Sequence, residues 1–213
     1  MELIKHYSYY QQTNNIELGE VIENANDKLT VITSFTDRDK AILADQMESS
    51  SQNYINAVAR VENKDFVKAF KPVYYAASLN DASTEYAVIM DGYDTVVNSF
   101  EGIEDIPASY NKKIVYGAWW MHFPTYFDVD FGSDNDLRYL NSGVVVGKTS
   151  DLKEFYGALS TYIQDNYPNS THWLKDYEQY WLYKFLVKHE EYVEKVGIDY
   201  NEILVVNYPI KPN

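Results

Sequence analysis

Cysteine is absent from this chain, so disulfides and thiolate metal sites are excluded. Basic residues are scarce: 18 Lys and Arg stand against 32 Asp and Glu, a formal net charge of −14. No basic stripe is available to release counterions from a nucleic-acid backbone or to hold an anionic membrane surface. Glycine (9) and proline (6) are too few for a fibrous or low-complexity chain. No window approaches the roughly 20 apolar residues of a membrane span. The N-terminus, Met1 to Tyr7, lacks the apolar stretch of a signal peptide, so the sequence predicts a cytoplasmic protein.

Aromatic residues, in contrast, are abundant. There are 21 Tyr, 9 Phe and 4 Trp in 213 residues, and hydrophobic residues make up 46% of the chain. That supplies a sizeable core, and flat rings also stack on sugars and bases. The length suits one domain with a short appendage. We expect a polar N-terminal extension over 1–27 and a single domain over 28–213.

The most informative segment runs from Tyr86 to Asp94. Ala87, Val88, Ile89 and Met90 read as a strand buried on both faces. The run stops at Asp91 and Asp94, which bracket Gly92 and Tyr93. Carboxylates at the carboxyl edge of such a strand sit where open α/β sheets bind ligands. Two hard oxygen donors there suit Mg²⁺ or Mn²⁺ held against a diphosphate. An ordinary turn would use the same residue types.

Other strands are expected over 29–33, 113–118, 139–147 and 203–206. Helices are expected over 64–79, over 152–166 capped by Ser150 or Asp151 with Glu154, and over 176–189 with Tyr180, Leu182, Tyr183, Phe185, Leu186 and Val187 as the buried stripe. Residues 37–59 contain helix formers but little periodicity. Strands alternating with helices predict a mostly parallel central sheet with helices on both faces.

Three further clusters could carry chemistry. Asn141-Ser142-Gly143 offers small hydrogen-bonding groups before a strand. Asp176-Tyr177-Glu178-Gln179 opens a helix, where acids also simply complement the macrodipole. Trp119-Trp120 precedes His122, Phe123 and Pro124 and could form a stacking platform. The acidic loop from Asp128 has Gly132 at position five and Tyr139 at position twelve, which does not match an EF-hand calcium loop.

These clusters occur in an order that resembles the glycosyltransferase domain of procollagen lysyl hydroxylases and related collagen glycosyltransferases. The resemblance rests on Val88 to Asp94, Lys113-Ile114-Val115-Tyr116 running to Pro124, Arg138 to Gly147, and Asp176 to Gln179. It implies a GT-A type nucleotide-diphospho-sugar transferase fold, a UDP-sugar donor, Mn²⁺ or Mg²⁺, and hexose transfer with retention to a carbohydrate or hydroxylated acceptor. By position, Asp91 and Asp94 would hold the metal, Tyr93 would lie against the uracil and Thr33 near the base. Asn141 and Ser142 would line the pocket, Asp176, Glu178 and Gln179 would face the sugar, and Lys211 would add charge near the phosphates. Val205 stands where that family places a third, histidine ligand. That substitution opens an alternative: a nucleotide-sugar-binding module that does not catalyse.

Overall fold

The computed structural model describes residues 3–6, 26–37, 41–50, 52–58, 66–125, 127–134 and 136–207. The described elements are β1 (Ile4–His6), β2 (Leu29–Ser34), α1 (Ile42–Ser49), β3 (Tyr54–Asn56), α2 (Lys71–Asp81), β4 (Tyr86–Asp91), β5 (Thr95–Val97), α3 (Ile106–Ser109), β6 (Ile114–Trp119), β7 (Tyr139–Lys148), α4 (Thr149–Asn166), α5 (Glu178–Lys188), α6 (Glu190–Val193), β8 (Val196–Asp199) and β9 (Val205–Asn207).

Six strands form a central sheet in the order β3-β2-β4-β7-β6-β8. The pairs β3–β2, β2–β4 and β6–β8 are parallel, whereas β7 is antiparallel to both β4 and β6. The sheet is therefore mixed, with five strands in one direction and β7 opposing them. A mostly parallel sheet was the expectation; the long β7 inserted at its centre makes the difference. A second sheet joins β5, β1 and β9, so residues from the expected extension hydrogen-bond to β5 and β9.

Side chains alternate along each central strand and feed two cores. Ala87 and Ile89 of β4, Ile114 and Tyr116 of β6, and Val145 of β7 pack with α2, α4 and α5. Val88, Met90, Val115, Val144 and Val146 face the other way, toward Leu43 and Met47 of α1, Ile4 of β1 and Val205 of β9. β4 is thus buried on both faces, as its continuous apolar run predicts.

In α4, Leu152, Phe155, Tyr156, Leu159 and Ile163 are buried, a stripe at helical spacing. The helix begins at Thr149, earlier than expected, and the predicted cap is not formed; no side chain caps it, and Thr149 N instead donates to Glu85 O. In α5, Trp181 is fully buried and Val187 is 45% exposed, the reverse of the predicted stripe at those two positions. α5 is enclosed on nearly every side, so one-face periodicity misplaces its boundary. β3, β5 and β8 were not expected as strands; each is only three or four residues long.

Candidate functional site

β2 and β4 end level with each other, Ser34 opposite Asp91 in the parallel register. A 3-10 turn over Lys68–Phe70 leads into α2, whose first residue is Lys71, followed by Pro72 at a position that tolerates its missing N–H. α5 starts at Glu178. These four element ends meet at one corner, which defines the candidate site.

At that corner the Lys71 ammonium donates to Asp91 Oδ1 and lies 3.0 Å from Glu178 Oε2. The Lys71 and Glu178 side chains are only 11% and 7% exposed, while Asp91 retains 27%. The trio is therefore buried at its base and open at Asp91. Burial opposes the Lys71 charge, but Asp91 and Glu178 outweigh it and hold the ammonium well above its ordinary range. Burial pushes the Glu178 carboxyl up to about 7; Lys71 opposes this and Asp91 adds to it.

Beneath the trio lies a layer of buried phenols. Tyr75 donates to Ser34 Oγ at 2.8 Å, and Tyr116 donates to Tyr156 at 2.9 Å. The Tyr75 and Tyr156 rings meet edge to face at 5.7 Å. Burial holds all three phenols above their ordinary range, so they remain neutral. The layer satisfies its own polar atoms while packing against the core.

Gln179 follows Glu178 and is used internally. Its carbonyl oxygen accepts from Ser142 N and Ser142 Oγ, both at 3.3 Å. Its amide donates to Leu140 O at 3.1 Å and to Phe123 O. Gln179 therefore ties α5 to β7 and to the loop after β6, placing Ser142 beside the corner. Asn141 Oδ1 accepts from Gly143 N at 2.8 Å, a local contact within β7.

The expected site residues divide accordingly. Asp91, Glu178, Gln179 and Ser142 are joined through Lys71 and the start of α5. Asp176 is not part of this cluster: its carboxylate accepts from Tyr167 at 2.8 Å, near an exposed surface. Thr33 is fully buried; its neighbour Ile32 and partner Met90 lie in the core on either side of the sheet. The Tyr93 hydroxyl accepts from Thr36 N and Asp37 N, each at 2.7 Å, which clasps the β2 and β4 loops together. Asp94 is half-buried beside it. Lys211 lies outside the described residues. His122 stacks on Tyr139 at 4.5 Å and bonds Phe127 O, a packing role.

Lys71 was missed by sequence reasoning, and one signal could have found it. A lysine in the first helical turn opposes the helix dipole, so its presence there calls for a local negative partner.

A divalent ion at this corner would need several oxygen donors. Among the described residues, no group of three His, Cys, Asp or Glu side chains is placed to hold one. Asp91 already binds an ammonium. Val205 is buried in β9, its amide donating to Asp199 Oδ2 at 2.8 Å. Asp91, the first expected ligand, is thus already paired with a cation, and the described residues supply no third protein ligand.

No family model matches the chain, and no curated protein matches it. Among solved structures the chain is similar to a glycosyltransferase involved in the glycosylation of the major capsid of PBCV-1, with 14% identity over 85% of this chain and 81% of that one and a TM-score of 0.43. At that identity the functional reading rests on the site residues, not on this likeness. No described helix is long and apolar enough to cross a membrane.

Proposed function

We propose that this chain is a glycosyltransferase that moves a hexose from a UDP-sugar to a carbohydrate or other hydroxylated acceptor, with retention. The observation that carries the reading is the convergence of Asp91, Glu178 and Lys71 at the carboxyl end of β4. A site of this kind offers a fixed cation for a diphosphate and carboxylates for a sugar. Both carboxyl groups of this corner are engaged by Lys71, which favours a front-face route over attack by either of them. In that route the bond from the anomeric carbon to the phosphate oxygen breaks with its electron pair, the acceptor oxygen bonds to the same face, and the acceptor proton passes to the departing phosphate. Glu178 and Asp91 would orient hydroxyls and offset positive charge on the sugar ring. Mn²⁺ or Mg²⁺ at Asp91 and Asp94 enters this reading only as the alternative that titration must exclude.

A UDP-release assay across UDP-hexoses tests the proposal. Wild-type protein is expected to release UDP with at least one donor, and Asp91→Ala and Glu178→Gln are expected to lower release sharply while keeping the wild-type circular dichroism spectrum. Undiminished release in either variant contradicts the assignment. The second reading, a binding module without turnover, is favoured by Val205 at the place of the expected histidine. It predicts UDP binding and no release.

A further inference from the structure

We infer that donor binding at this site is independent of any divalent ion, because the Lys71 ammonium already occupies the cation position against Asp91. The inference rests on the proposed function and concerns how that same site recognises a nucleoside diphosphate.

Asp91 would have been the first ligand of a metal, yet its Oδ1 accepts from Lys71. An ion ligated by that carboxylate would sit within a few ångström of a buried positive charge and be repelled. Lys71 is not placed to withdraw. It is the first residue of α2, its side chain is 11% exposed, and Glu178, 7% exposed, holds it from a second side at 3.0 Å. Displacing it would strip the counter-charge from both carboxyl groups, one of them, Glu178, nearly buried. The carboxylates account for two of the three N–H donors of an ammonium, leaving one for a phosphoryl oxygen. The open side of the trio is at Asp91, where the sheet edge meets solvent. Asp91 and Glu178 here act as holders of a protein cation, which makes Lys71 the diphosphate-binding residue.

Isothermal titration of UDP into the full chain, in EDTA and then in Mn²⁺, tests this. Wild-type protein is expected to bind UDP in EDTA with a Kd within about twofold of that in Mn²⁺. Lys71→Met is expected to weaken binding by about tenfold or more, and Lys71→Arg to retain most of it. An affinity that rises about tenfold with Mn²⁺, or a folded Lys71→Met protein that binds as wild type does, overturns the inference. If Lys71→Met does not fold, as judged by circular dichroism, the wild-type comparison still decides. Absence of UDP binding in both conditions instead refutes the proposed function, so the two failures are distinguishable.

Discussion

Replacing Glu178 by glutamine should change how stability depends on pH, by an amount that follows from the burial of one carboxyl group. The ordinary value for Glu is 4.5, and in the fold burial raises Glu178 to about 7 despite the opposing Lys71 charge. Between these values the native state holds a proton that the unfolded chain has released. Stability then falls as pH rises through that window. The interval corresponds to about 3 kcal/mol. Lys71 does not offset the slope, because its raised value matters only above its ordinary 10.5. Glutamine keeps an oxygen to accept from Lys71 but cannot ionise. Urea unfolding of both proteins at several pH values from 4.5 to 7.5 isolates the effect, since other titrating groups cancel in the difference. The stability of Glu178→Gln relative to wild type should rise across the window by about 3 kcal/mol. Parallel stability curves would refute the burial argument, and a difference of opposite slope would mean that Lys71 dominates the carboxyl.

Two further substitutions probe the framework behind the site. Asp199 is fully buried and accepts from Leu204 N and Val205 N, each at 2.8 Å, from Ile203 N at 2.9 Å and from Tyr110 at 2.6 Å; Asp199→Ala strands the amides that lead into β9 and should cost about 3 kcal/mol or more, lowering Tm by roughly 6–12 °C in calorimetry. A loss below about 1 kcal/mol would show that β9 is ordered without it. A Cβ at Gly147 would lie 2.9 Å from Lys113 O and 3.2 Å from Leu152 Cγ, where β6, β7 and α4 crowd together; Gly147→Ala should destabilise by about 1–3 kcal/mol in chemical denaturation, and a neutral result would mean that the strand pair shifts freely.

Much of the architecture was legible because it depends on simple periodicity. The apolar run of Ala87 to Met90 has one economical solution, a strand between two cores, and that is what forms. The i, i+3, i+4 pattern of α4 is equally direct. Short strands such as β3, β5 and β8 carry too few residues for alternation to stand out, and their pairing is set by distant partners. The direction of β7 was not legible either, because an apolar strand reads the same whichever way it runs.

The site was legible in its carboxylates and not in its cation. Asp91 marks itself by ending a buried strand, and Glu178 by opening a helix. Lys71 opens an otherwise ordinary helix 20 residues before Asp91, and only the fold brings it to both acids. Asp176 and Glu178 look equivalent in sequence, two residues apart. Helix geometry separates them: Glu178 turns into the core as α5 begins, while Asp176, ahead of the helix, turns outward to Tyr167. Thr33 was placed near the base by the resemblance alone; in the fold it is fully buried near the end of β2.

A crystal structure of the chain with UDP bound would examine the whole proposal at once. The account predicts the pyrophosphate at the end of β4, with a phosphoryl oxygen about 3 Å from the Lys71 nitrogen and no metal ion between them. UDP bound elsewhere, or a cation displacing Lys71 from Asp91, would contradict it.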